Sequence, residues 1–409
     1  MLSRIALSTL RTSAVLGLRL GAQAGTLLLI ARLLGPDQFG SYAGLTALAV
    51  LLGSFASFGT HLVLLAEVSK DPQQRHRVLG YAVPTTMLCG SALLAIFLLL
   101  AQYGWGESAI PLWAMACIGI TETLLLPLYT LPVTEELALE KTVSSQLWML
   151  LPLVLRTLVA GAVLGLAPAQ AMPIFMALYA ASAVAALLAI GLYKPRAWSK
   201  PRHWRLPRIR QLKHSAGYAT LALTSLGPSE LDKILASKLL ASGAAGIYAV
   251  ASRVMGAATL PVIALMLSAM PRLFRHRAQA PAQAQRLRMA IFLATLLYGC
   301  ILSALLWLTA PWVQWLFGAA YTDLEQMLRW LCWAAPGLAV RIAAGSMLMS
   351  QEQPWRRAAF ETLGVMGLVA AACVLAPNYG VVGMAQALFI SEWGMAAMGA
   401  ILIFKSPVR

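Results

Sequence analysis

Long apolar runs recur along the whole chain, at about 10–34, 41–66, 79–101, 109–131, 145–167, 172–193, 214–240, 247–270, 289–311, 325–349, 358–377 and 381–404. Each approaches or exceeds the roughly 20 residues a helix needs to cross a bilayer. The runs are continuous and do not alternate with period two, which argues against a transmembrane barrel. The pattern predicts an all-α membrane protein of about twelve transmembrane helices. The opening stretch MLSRIALSTLRTSAVLGLRLGAQAG begins with basic residues, as a signal peptide does. Arginine recurs inside the run, however, and the run continues to Leu34. It reads as a retained first span.

The polar connections between runs fall into two alternating sets. GPDQFG, QYGWGES, APAQA, ASGAAG, WVQWLFGAAYTD and PNYG contain no Lys or Arg. The other set carries Lys70, Arg75 and Arg77, then Lys141, then a dense stretch from Lys194 to Lys213, then Arg272, Arg275, Arg277, Arg286 and Arg288, and finally Arg356 and Arg357. Lys/Arg bias places this second set, with both termini, in the cytoplasm. An even number of spans requires the same.

Composition agrees with the pattern. Of 409 residues, 60% are hydrophobic and 11% charged, and the net charge is +16. In a soluble protein that charge would suggest nucleic acid. Here most of it is topology signal, so no nucleic-acid partner is expected. The basic connections suit the anionic lipid of the inner leaflet instead. Cys89, Cys117, Cys300, Cys332 and Cys373 lie singly in apolar runs, with neither disulfide nor metal spacing. The chain has no Walker A run, no GxSxG and no HExxH. Neither a cofactor nor a metal is expected, and the chain does not read as an enzyme. A membrane glycosyltransferase or polymerase of envelope glycan assembly would carry paired acids or arginines on a large outer loop, and the outer connections here are short.

The chain divides near its middle. Lys194–Lys213 is its longest hydrophilic segment and holds Pro195, Pro201 and Pro207 among its charges. The expected organisation is a six-helix bundle over residues 1–193, a basic cytoplasmic linker over 194–213 and a second six-helix bundle over 214–409. The bundles look related. ARLLGPDQFGSYA, from Ala31, aligns with SKLLASGAAGIYA, from Ser237. At one constant offset Arg32 meets Lys238, Gly40 meets Gly246, and Tyr42 meets Tyr248. An even number of spans per half gives both halves the same orientation. Such parallel-repeat bundles around a central cavity are a transporter architecture.

Charges inside the spans are the candidate chemistry. A charge at mid-bilayer costs from about 3 to more than 10 kcal/mol, so such residues tend to face water or a partner. Thr12, Arg19, Gln23 and Thr26 share one face of the first span, either as a polar seam between helices or with Arg19 lining a cavity. The seventh span holds Glu230, Asp232 and Lys233. Glu230 and Lys233 are three apart and able to pair in place. Asp232 is a candidate to take a proton, to coordinate sodium or to neutralise Arg19. Arg253 and Arg341 are mid-membrane guanidiniums with no acid nearby in sequence, and a guanidinium presents a donor fork suited to phosphate. Glu122, Glu361 and Glu392 are single acids in apolar spans. The excess of buried cations suggests an anionic cargo. It argues against a cation-exporting multidrug antiporter, whose cavity would favour acids and aromatics.

The chain resembles the Wzx-like oligosaccharide flippases, polysaccharide biosynthesis membrane proteins within the multidrug/oligosaccharidyl-lipid/polysaccharide exporter superfamily. The resemblance rests on ARLLGPDQFGSYA and SFASFGTHLVL in the first half. In the second half it rests on ELDKILASKLLASGAAGIYAVASRV and the proline-spaced pattern from Pro261 to Leu273. It implies a carrier that moves undecaprenyl-pyrophosphate-linked oligosaccharide from the inner to the outer leaflet of the bacterial cytoplasmic membrane by alternating access, coupled to Na+ or H+. It also implies contacts with polymerase and export machinery. On this reading Arg19, Lys233, Arg253 and Arg341 line a cationic, substrate-binding cavity. Asp232 and Glu230 serve as ion-coupling residues or charge partners.

Overall fold

A computed structural model describes residues 2–105, 110–166, 170–194, 197–266, 269, 273, 281–350 and 354–405. Among the described residues, each of the twelve apolar runs is mostly helical. The first two lie in one helical stretch, Leu2–Ala56, broken at Gly35, whose φ of 65° only glycine adopts without strain. Pro36 follows. Its fixed φ and missing N–H suit the first position of the restarting helix. The second run continues, after a turn, through Thr60–Lys70. The last two runs are likewise joined, in Pro354–Lys405, with the break at Gly380, φ 58°. Between them come Arg75–Trp105, Leu112–Ala138, Thr142–Leu166, Ala171–Tyr193, Ile209–Leu239, Ser242–Ala258 continuing through 260–266, Pro281–Phe317 and Leu324–Ser350.

Nine helices among the described residues are long and apolar enough to cross a membrane. The two joined pairs each count once, and Ile209–Leu239 is too polar to count at all. Leu99, Leu188, Leu192, Leu297 and Leu308 are exposed on the helix surfaces. In water such a surface would be costly. Against acyl chains it is matched, and helices satisfy their own backbone hydrogen bonds there. The chain is a multi-pass, all-α membrane protein.

Two compact units divide the contacts. One comprises Met1–Leu34 and Leu45–Leu226, the other Gly35–Gly44 and Gly227–Arg409. These limits differ from divisions at 193 and 213 for identifiable reasons. The basic linker folds onto the first unit. The Trp198 indole donates to the Leu128 carbonyl at 2.9 Å, the Trp204 indole to the Trp198 carbonyl at 3.2 Å, and the Arg205 amide to the Gly80 carbonyl at 2.9 Å. Both indoles pack against a core built on Val63, Leu64, Leu79 and Leu131. Lys194 pairs with buried Glu136, and Arg75 with buried Glu135.

The segment Gly35–Gly44 joins the second unit through a tight crossing with the helix from Ser242. A Cβ on Gly40 would collide with the Ser242 carbonyl, and one on Gly246 with the Pro36 carbonyl. Pro36 is to Ser242 as Gly40 is to Gly246 in the aligned repeats, so the contact is reciprocal, with a local two-fold. Small residues that let helix backbones touch are the usual means of helix association in lipid.

Candidate functional site: buried charges in the spans

The polar centre of the second unit is built on Ile209–Leu239 and Ser242–Ala258. Asp232 and Lys233 are both buried. Asp232 Oδ1 accepts from the Lys233 amide at 2.8 Å and from its Nζ at 3.2 Å. Oδ2 accepts from Ser252 Oγ at 2.6 Å and from the Tyr248 hydroxyl at 3.2 Å. Lys233 Nζ also donates to the Ser229 carbonyl, and Glu230 lies 3.9 Å from it. The carboxylate thus meets a cation and three further donors, the arrangement that makes a buried charge tolerable. Tyr248, one of the residues aligned between the repeats, is fully buried and supplies one of those donors.

A second buried pair stands in the same unit. Arg341 Nε donates to Glu392 Oε2 at 2.6 Å, with both side chains almost inaccessible. Arg357 Nε donates to Glu361 Oε1 at 3.1 Å. Glu392 lies within electrostatic reach of both Asp232 and Glu361. Arg341, which has no acid nearby in sequence, therefore has one in space, and Glu361 and Glu392 are not single acids. Asp232 is likewise committed to Lys233, Tyr248 and Ser252.

Arg253 follows Ser252 and turns to a different neighbour. Its guanidinium lies 5.7 Å from the centre of the Phe39 ring, a cation–π distance. Arg19 belongs to the first unit. Its Nη1 lies 4.0 Å from Met149 Sδ on Thr142–Leu166, a weak contact for a charged donor. Farther along the same face, Thr26 Oγ1 bonds the Ala22 carbonyl and Thr157 Oγ1. Thr26 makes a polar seam between helices on that face, and Arg19 is partly accessible. Thr12 lies outside the residues whose side chains are described. Of the nominated residues, the structure gathers Asp232, Lys233 and Glu230. Arg253 and Arg341 are in the same unit, each with its own partner.

The first unit holds a polar site that single-residue reading did not assemble. Thr121–Leu125 is a π-helical turn. Pro127 explains its place: a proline ring displaces the carbonyl four residues back, here that of Thr123, and widens the turn. Glu122 sits on this turn, buried, and accepts from the Tyr179 hydroxyl at 2.7 Å. The Arg156 guanidinium lies over the Tyr179 ring, 4.5 Å from its centre. Glu122 and Tyr179 are 57 positions apart, so spacing carried no signal of the pairing.

A family profile described as "Polysaccharide biosynthesis protein" matches residues 8–277, about two thirds of the chain. The chain belongs to this polysaccharide biosynthesis family. No curated protein matches it in sequence. Among solved structures, a multidrug resistance MATE transporter of the MOP superfamily in an inward-facing conformation superposes with a TM-score of 0.78 at 13% identity, covering 94% of each chain. The lipid II flippase MurJ in an inward closed conformation gives 0.74 at 11% identity, covering 97% of this chain and 88% of that one. A MOP superfamily transporter from Pyrococcus furiosus, described as having a binding pocket of reversed polarity, gives 0.68 at 13% identity, covering 98% and 94%. At these identities the likeness establishes the fold, which is that of MOP superfamily transporters. The polysaccharide biosynthesis protein is thus a multi-pass membrane protein with a transporter fold.

Proposed function

We propose that this member of the polysaccharide biosynthesis family moves a lipid-linked oligosaccharide, carried on undecaprenyl pyrophosphate, from the inner to the outer leaflet of the bacterial cytoplasmic membrane by alternating access. The observation that carries the reading is the state of Arg19. It is a guanidinium in an apolar span whose contact is a thioether at 4.0 Å and which forms no ion pair with a described residue. A cation held there with no standing carboxylate among the described residues suits a ligand that brings its own negative charge. Arg253, held over an aromatic ring, is the matching candidate in the second unit.

Lys233 and Arg341 take a different part. Each has a buried carboxylate, Asp232 or Glu392, and binds the anionic cargo only by exchanging that partner for it. Asp232, with Glu230 beside Lys233, is assigned the coupling role, accepting H+ or Na+ when the lysine is drawn away. The Lys/Arg bias of alternate connections supports a cytoplasmic location for both termini and the basic connections.

Ion-driven multidrug export is the second reading, favoured by the superposition on the MATE transporter. The cationic character of the nominated span residues supports the anionic cargo over a cationic drug. Deletion of the protein followed by analysis of the lipid-linked pool tests the choice. A flippase leaves lipid-linked repeat units accumulated on the inner leaflet. An antiporter leaves that pool unchanged and changes drug tolerance.

A further inference from the structure

A cleft of about 360 Å3 opens at one end of the second unit. It is lined by Gly243, Ala244 and Ile247, by Asp323, Gln326, Met327 and Trp330, and by Val381 and Val382. These belong to, or directly follow, three of the connections without Lys or Arg: ASGAAG, the stretch ending in YTD, and PNYG. A fourth, GPDQFG, reaches the same place, since a Cβ on Gly243 would lie 2.7 Å from Asp37 Oδ1. By charge bias all four are outer connections.

The polar side chains in this cleft share a face. Asp323, Gln326 and Trp330 are spaced three and four apart along Leu324–Leu331 and its cap, so they stack on one side of the helix. Trp330 is 42% exposed. Arg329, the basic residue beside it, is turned elsewhere: its Nη2 pairs with Glu325 at 2.8 Å and its guanidinium lies over the Trp307 ring at 5.1 Å. The cleft therefore presents an aromatic side chain, an amide and the Asp323 carboxylate, with no cation among its lining residues. This is chemistry suited to a neutral sugar. The indole accepts the apolar C–H face of a pyranose, and planar amide and carboxylate groups bond adjacent hydroxyls. The volume falls within the range of small-molecule sites.

We propose that this cleft is a binding site for the neutral glycan part of the cargo, on the outer side of the membrane and separate from the arginines assigned to its pyrophosphate. The proposal rests on the lipid-linked oligosaccharide reading. Trp330 supplies the stacking platform, with Gln326 and Asp323 as hydrogen-bond partners. The site would hold the sugar end as it emerges.

The test uses the full-length protein in nanodiscs, free of sugar-headed detergent, and the lipid-free oligosaccharide released from the host's own polysaccharide. Equilibrium dialysis should show saturable binding, weakened at least tenfold by Trp330→Ala and by Gln326→Leu and unchanged by Trp315→Ala, an exposed tryptophan outside the cleft. Intrinsic-fluorescence melts establish that each variant is folded, and Gln326→Leu serves if Trp330→Ala is not. No binding by the wild type, or equal binding by both cleft variants, overturns the site. Failure of the flippase reading is a separate result, an unchanged lipid-linked pool in cells lacking the protein.

Discussion

Gly40 and Gly246, equivalent positions in the two repeats, close one helix crossing from both sides, each lying against the carbonyl of the residue equivalent to its partner's contact. The alignment that pairs them in sequence thus has a physical reason: neither position has room for a methyl group. A glycine-to-alanine change in an open helix gains about 1 kcal/mol. At Gly246 the sign should reverse, because the added carbon meets the Pro36 carbonyl. Gly246→Ala should melt at lower temperature than wild type in detergent, and Gly394→Ala, with nothing within 4 Å of its Cβ, should not. Equal melting of the two variants would remove the tight crossing from the account.

The Arg341–Glu392 pair should behave as a buried ion pair. Removing one partner strands the other charge, at a cost of about 3–5 kcal/mol. Arg341→Met should therefore be strongly destabilised and Arg341→Met/Glu392→Met should recover most of the loss. A double-mutant cycle on unfolding midpoints measures the coupling. Additive losses would mean that the two side chains do not depend on each other.

Docking of the linker rests on Trp198 and Trp204. Trp198→Ala removes the indole bond to Leu128 and its packing against the first unit. Trypsin should then cut at Arg202 and Arg205 markedly faster in inside-out vesicles, while the rest of the digest pattern stays the same. An unchanged cleavage rate would show that the indole is not what holds the segment.

The spans were legible because a bilayer imposes length and apolarity on every crossing, so the runs mark the helices even where Gly35 and Gly380 join two of them into one stretch. The repeat that equates Gly40 with Gly246 was also visible, as a glycine and a tyrosine in register in two turns, but not that the two glycines meet in one crossing. Nor was the pairing of the buried charges. Arg341 meets Glu392 across 51 positions and Glu122 meets Tyr179 across 57, and packing, not spacing, decides such contacts. Lys233 was a partial exception: its pairing with Glu230, three residues away, was open to spacing and is present at 3.9 Å, whereas its nearer partner is the adjacent Asp232, at 3.2 Å. The docking of the linker was hidden for a related reason. Trp198 and Trp204 lie among prolines and cations, and nothing in that spacing marks the carbonyls their indoles find in the protein.

On the proposed function, Arg19 meets the charged end of a lipid-linked cargo. The most direct measurement is the leaflet distribution of lipid-linked repeat units in cells whose only copy carries Arg19→Ala, with insertion and abundance matched to wild type. The expected result is accumulation on the inner leaflet and loss of exported glycan, with partial rescue by Arg19→Lys, which restores the charge without the guanidinium fork. Normal export by Arg19→Ala would contradict it.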